Sequence, residues 1–122
     1  MSRVLIIDDD IGVLHRLLSR LLSTAGHECR FIANAAMVFD PELNVYEKFE
    51  PEIIVTDFMM PVMDGLEFIQ IARSKGVALP IILMSSDNME TKGLAAGADR
   101  FVKKDENFSA KLLAAIRELC GS

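Results

Sequence analysis

The chain has only two cysteines among its 122 residues, Cys29 and Cys120, and no Cys-x-x-Cys spacing. That excludes a disulfide framework and a thiolate zinc site, and it fits a reducing compartment. Positive charge is also scarce, with 13 Lys and Arg against 18 Asp and Glu, a net charge of −5. Broad contact with a nucleic-acid backbone needs clustered Lys and Arg, so no direct nucleic-acid partner is expected. No apolar run approaches the roughly 20 residues of a membrane span, which argues against a membrane partner. The opening Met1-Ser2-Arg3-Val4 leads straight into an apolar run ending in acids, without the pattern of a signal peptide. A cytoplasmic location is therefore expected. Repeats, low-complexity tracts and linkers are missing as well, so residues 1–122 read as a single domain. A hydrophobic share of 51% is enough for a real core and excludes disorder as the main state.

What is present is alternation. Val4-Leu5-Ile6-Ile7 is a short continuous apolar run, the pattern of a strand buried on both faces, and it stops at Asp8-Asp9-Asp10. Leu14, Leu17, Leu18, Leu21 and Leu22 then recur at helical spacing and predict one apolar helix face, with Gly26 as its stop. A weaker strand is expected at Glu28 to Ile32. Pro41 interrupts the next helical stretch, Asn34 to Glu50, so a broken or shortened helix with an irregular segment over 38–49 is expected. Ile53-Ile54-Val55 and Ile81-Ile82-Leu83-Met84 read as buried strands ending at Asp57 and at Ser85-Ser86, with Leu66, Phe68, Ile69, Ile71 and Ala72 on a helix between them. Asn88 to Ala96 predicts a short helix ended by Gly97. Phe101-Val102 is the last strand, ending at Lys103-Lys104. Leu112, Leu113, Ile116 and Leu119 mark a final helix capped by Ser109 or Asn107. Strands that alternate with helices imply a parallel sheet with helices on both faces.

Ligands of such sheets bind beyond the carboxyl ends of the strands. Asp8 and Asp9, Asp57, Ser85 and Lys104 follow successive apolar runs and so meet at one sheet edge. Carboxylates crowded together repel unless a cation intervenes, and hard oxygen ligands favour Mg²⁺ or Mn²⁺. A carboxylate nucleophile with a metal, an ammonium and a hydroxyl suits phosphoryl transfer.

Four segments in order carry a family resemblance: Ile6 to Asp10, Asp57-Phe58-Met59-Met60-Pro61-Val62-Met63-Asp64-Gly65, Leu83 to Ser86, and Gly97 to Lys104. Through them the sequence closely resembles the receiver domain of two-component response regulators, from Val4 to about Leu119. The resemblance implies a flavodoxin-like, doubly wound, five-stranded parallel sheet of order 2-1-3-4-5. It implies a non-enzymatic signalling domain in which Asp57 accepts a phosphoryl group from a histidine kinase or phosphotransfer protein. Asp9 and Asp57 would ligate Mg²⁺ directly, Asp8 through water, and Met59 through its backbone carbonyl. Lys104 and the Ser85 hydroxyl would hold phosphoryl oxygens, with Phe58 and Ser86 bordering that pocket. Ser85 and Phe101 would be the switch pair, and Met59 and Asp87 would tune phosphate lifetime. A downstream target or output domain, or a second copy of the chain, would meet the face made by the fourth helix, fifth strand and fifth helix.

Two departures from the family pattern stand out. Asp105 replaces the proline usual after the active-site lysine; a non-proline cis bond costs about 2.5–4 kcal/mol, so a trans peptide is expected. The stretch from Val38 to Phe49 is about four residues longer than usual.

Two other functions compete. One is a receiver-like interaction module that works without phosphorylation. The other is a haloacid-dehalogenase-like phosphatase using Asp8. Of the remaining residues, Lys103 is expected at the surface, Phe101 in the core, and Met59, Met60, Met63, Met84 and Met89 as apolar gap-fillers. His15 and His27 are expected on the surface at helix positions, and Asp64-Gly65 as turn chemistry.

Overall fold

The computed structural model describes residues 2–10 and 12–121, with only the backbone of Val13 and Leu14. Five strands, β1 (Arg3–Ile7), β2 (Glu28–Ile32), β3 (Ile53–Asp57), β4 (Ile81–Ser85) and β5 (Arg100–Lys103), alternate with α1 (Val13–Thr24), α2 (Val45–Phe49), α3 (Gly65–Ser74), α4 (Glu90–Ala96) and α5 (Phe108–Cys120). The strands form one sheet in the order β2-β1-β3-β4-β5, and every pairing is parallel. This is the doubly wound, flavodoxin-like arrangement.

Side chains of a strand alternate between faces, and both faces here are apolar. Val4, Ile6, Ile53, Val55, Ile82 and Met84 point to the layer of α1 and α5, where Leu18, Leu22, Leu112 and Ile116 meet them. Leu5, Ile7, Ile54, Ile81 and Leu83 point the other way, onto Phe68, Ile69 and Ala72 of α3. Burying one such side chain contributes about 1.5–3 kcal/mol. These two layers hold the central strands still and so fix where the strand ends point.

The apolar face of α1 is narrower than its leucine spacing predicts. Leu18 and Leu22 are buried, Leu21 is half-buried, and Leu17 is 48% exposed. The side chain of Leu14 lies outside the described residues. Between β2 and β3 the chain makes a 3₁₀ turn (Ala35–Met37) and then the five-residue α2, entered through Asn44 and left through Glu50, both left-handed. At the start of α5 one of the two expected cap residues holds its place. Ser109 lies inside the helix, and Asn107 is the cap residue without a capping side-chain bond. Asp105 takes over instead, its Oδ1 accepting from the Asn107 amide at 2.9 Å and its Oδ2 from Lys111 Nζ at 2.7 Å.

His27 is not on a helix and not on the surface. It sits in the turn between α1 and β2, 9% exposed, and its Nδ1 has no hydrogen-bond partner among the described residues. Burial lowers its pKa, helped by repulsion from the N-terminus and Arg117. His15 does lie on α1, but half-buried, its ring stacked 3.8 Å from that of Phe31.

Candidate functional site

β1 and β3 are adjacent strands, and both end in acid at the same edge. Asp8 directly follows β1, Asp9 comes next, and Asp57 is the last residue of β3. Asp8, Asp9 and Asp57 each offer a carboxylate oxygen within 4.8 Å of the others. Asp8 and Asp57 are buried and Asp9 is exposed. Lys104, just past β5, reaches across the β4 end to both buried acids. Its Nζ lies 3.0 Å from Asp8 Oδ2 and 2.9 Å from Asp57 Oδ1. The lysine is set by its backbone amide, which donates to the Ser85 carbonyl at 2.8 Å. Asp8 is aimed by its Oδ1, which accepts from the Asp10 amide at 2.9 Å.

The electrostatics match this crowding. Burial raises the pKa of Asp57, and the Asp8 charge adds to the rise, against the opposing hydrogen bond from Lys104. For Lys104, burial pulls the pKa down, but the bonds to Asp57 and Asp8 outweigh it and the net shift is upward. Lys104 keeps its proton because two carboxylates face it, whereas its bond to Asp57 does not overcome the burial of that acid. A donor set of three closely spaced carboxylates, all hard oxygens, fits a small divalent cation such as Mg²⁺.

Asp57 is positioned by the loop that follows it. Gly65 opens α3 and donates its amide to the Phe58 carbonyl at 2.9 Å. A side chain at Gly65 would overlap the Asp57 carbonyl oxygen and come within 2.9 Å of Leu83. Asp64 caps the helix in a reciprocal box with Glu67, so Asp64-Gly65 is structural. Ser85 ends β4 at the same edge, 2% exposed, with its Oγ accepting from the Asp87 amide at 3.1 Å. Ser86 and Asp87 are exposed beside it. Phe58 lies half-buried against the α3-side core, and its amide donates to the Met84 carbonyl at 2.9 Å. Met59 does not fill a gap: its side chain is 65% exposed in the loop after β3. Phe101 is half-buried against the α3-side core rather than fully inside it. Lys103 is exposed, and the Lys104–Asp105 peptide is trans.

A parallel sheet in this strand order, with three acids and a lysine gathered at its strand ends, defines a class of flavodoxin-like domains with one charged edge. The profile of the response regulator receiver domain matches residues 4–117, and the chain belongs to that family. It is 31% identical over 125 residues to the two-component response regulator PhoP of Pseudomonas aeruginosa, covering 98% of this chain and 53% of that protein. With the response regulator MprA of a Mycobacterium species it shares 34% over 121 residues, covering 94% and 50%. The chain thus spans about half the length of the curated relatives it matches. Among solved structures, the Francisella response regulator 1452 receiver domain matches with a TM-score of 0.84 at 23% identity, covering 98% of this chain and 96% of that one. The response regulator TrrA of Thermotoga maritima, solved in complex with Mg²⁺-BeF, matches with a TM-score of 0.81 at 26% identity, covering 98% and 99%.

Proposed function

We propose that this receiver domain is a phosphoacceptor switch working through Asp57. The observation that carries the reading is Lys104 held at 2.9 Å from Asp57 and 3.0 Å from Asp8, with Asp9 in the same acidic cluster. An Asp57 oxygen attacks phosphorus, the phosphorus–nitrogen bond of a phosphohistidine breaks, and the imidazole leaves with the electron pair and takes up a proton. Lys104 pairs with the developing charge on the phosphoryl oxygens. Asp9, Asp57 and the Met59 carbonyl would hold Mg²⁺ (or Mn²⁺), with Asp8 assisting through water. When bound, the ion supplies the positive charge that lets carboxylates and a phosphoryl group share one pocket. Ser86 and Phe58 border that pocket.

Ser85 would exchange its bond from the Asp87 amide for one to a phosphoryl oxygen, with Phe101 moving further inward behind it. Met59 and Asp87 flank the path of the hydrolytic water and tune its attack. The donor is a histidine kinase or phosphotransfer protein. The readout is a downstream target, an output domain or a second copy docking on α4, β5 and α5. Two unpaired cysteines, both half-buried, are consistent with a reducing, cytoplasmic setting, and no helix among the described residues is long and apolar enough to cross a membrane.

Acetyl phosphate with Mg²⁺, read by intact mass, tests the reading. A gain of one phosphoryl group, about 80 Da, is expected for the wild type and not for Asp57→Asn or in EDTA. Modification that survives Asp57→Asn would shift the nucleophile to Asp8. No modification of the folded protein would leave a phosphorylation-independent interaction module.

A further inference from the structure

The segment between the 3₁₀ turn and β3 builds a cleft that the phosphoacceptor chemistry does not use. Its walls include Phe39, Tyr46 and Val77, and Asp40, Glu47 and Lys75 also line it, around a volume of about 420 Å³. The Phe39 and Tyr46 rings lie 5.4 Å apart at 55°, and Phe39 is backed by Phe68 of α3, with ring centres 5.8 Å apart. Because Phe68 is fully buried, the aromatic wall is anchored to the core rather than free to collapse.

The charge of the segment that builds this wall is mainly negative. Residues 37–50 contain four acids, Asp40, Glu42, Glu47 and Glu50, against one base, Lys48. Asp40 and Glu47 stand on the cleft itself. The chain already sets a cation there. Lys75 Nζ lies 5.5 Å from the centre of the Phe39 ring, with no carboxylate partner among the described residues. An aromatic face next to carboxylates attracts organic cations through both the ring quadrupole and the opposite charge. Apolar surface extends beyond the cleft, since Met37 and Leu43 of the same segment are 39% and 43% exposed. A lone small cation would leave that surface uncovered, whereas a peptide with apolar anchors would cover it.

We propose that the α2 segment is a second docking site, for a protein partner that presents a basic segment with apolar side chains between its Lys and Arg residues. An Arg or Lys of the partner lies against Phe39 and Tyr46 and pairs with Glu47 and Asp40, displacing Lys75 toward solvent. Its apolar side chains cover Leu43 and Met37. The site lies outside the acidic cluster and the α4-β5-α5 face, so occupancy does not depend on phosphorylation at Asp57.

The test uses the unphosphorylated protein, labelled for amide NMR, and three probes at equal concentration. These are a synthetic peptide of alternating Arg and Leu, the matching peptide of Glu and Leu, and free arginine. The expected result is a saturable shift confined to residues 38–47 and 75–77 with the basic peptide alone. Glu47→Lys, an exposed position, should weaken it about fivefold, whereas Asp57→Asn should leave it unchanged. Equal shifts from the acidic peptide would overturn the proposal, as would no shift from the basic one at millimolar concentration. Shifts of the same size from free arginine would replace the docking site with a small-cation site. Loss of phosphorylation in Asp57→Asn with unchanged peptide binding would keep the two functions separate.

Discussion

Asp57 carries its charge against its surroundings. Burial, and then Asp8, hold its pKa above the ordinary carboxylate value in the folded chain, despite Lys104. A carboxyl group whose pKa is raised on folding favours the folded state only where it is protonated. That contribution is fully present below the unfolded value near pH 4 and is lost as pH rises through the folded value. Asp57→Asn has no charge to lose. In EDTA the variant is expected to be more stable than the wild type at pH 7, with the gap closing toward pH 4. Urea midpoints at the two pH values check this, and a gap that does not change with pH would show that Lys104 fully offsets the burial. Gly65 is sensitive for a steric reason. Gly65→Ala pushes a methyl group into the Asp57 carbonyl and toward Leu83, and a loss of about 1–3 kcal/mol is expected from overpacking. Denaturant unfolding measures it, and an unchanged midpoint would mean that the loop after β3 yields freely. At this scale the sequence was informative where a strand end forces the matter. Asp8, Asp57 and Lys104 come at or just past the ends of parallel strands, so the topology brings them together wherever the helices lie. His27 and Leu17 were misread because residue type stood in for environment. His27 is expected on a helix surface but is buried in the turn between α1 and β2, and Leu17 falls just outside the stripe that Leu18 and Leu22 bury.

Elements depend on contacts that no spacing announces. Arg73, near the end of α3, donates from Nη1 to the Val77 and Leu79 carbonyls at 2.7 and 2.8 Å. Its Nε and Nη2 reach the Gly97 carbonyl at 3.0 and 2.9 Å, and Nη2 also meets Asp99 Oδ2 at 2.9 Å. Asp99 in turn accepts from the Ile81 amide at 2.9 Å, so one side chain ties α3, the loop into β4 and the turn between α4 and β5. Three of the acceptor residues contribute only backbone carbonyls, which have no sequence identity, and this clamp was therefore invisible before the fold was known. Arg73→Met leaves those carbonyls without their donor and is expected to cost about 2–3 kcal/mol. Arg73→Lys should recover little of it, because an ammonium cannot reproduce the planar fork. Urea unfolding of the two variants separates the cases, and full rescue by lysine would reduce the clamp to a simple charge. The interruption around Pro41 was legible, since proline cannot continue a helix. What fills the gap was not, because the Phe39–Phe68 stack joins residues far apart in sequence.

At the scale of the whole molecule, the order β2-β1-β3-β4-β5 puts β1 and β3 side by side, and the acidic cluster exists only because of that adjacency. Asp8 and Asp9 lie 49 and 48 positions before Asp57, so the unfolded protein has no comparable cluster. An ion that needs all three therefore binds the folded state alone and stabilises it by mass action. At a hundredfold excess over its dissociation constant, Mg²⁺ is expected to add about 2.7 kcal/mol. Asp9 is exposed and outside the Lys104 bonds, so Asp9→Asn takes one carboxylate charge from the cluster with little disturbance of the metal-free fold. Thermal melts of the wild type should therefore rise and saturate with Mg²⁺, and those of Asp9→Asn should stay nearly flat over the same range. NaCl matched in ionic strength should not reproduce the rise, because screening acts on both proteins alike. If Asp9→Asn gained as much as the wild type, the ion would be acting elsewhere on this acidic surface, and the strand-end cluster would lose its role as the metal centre.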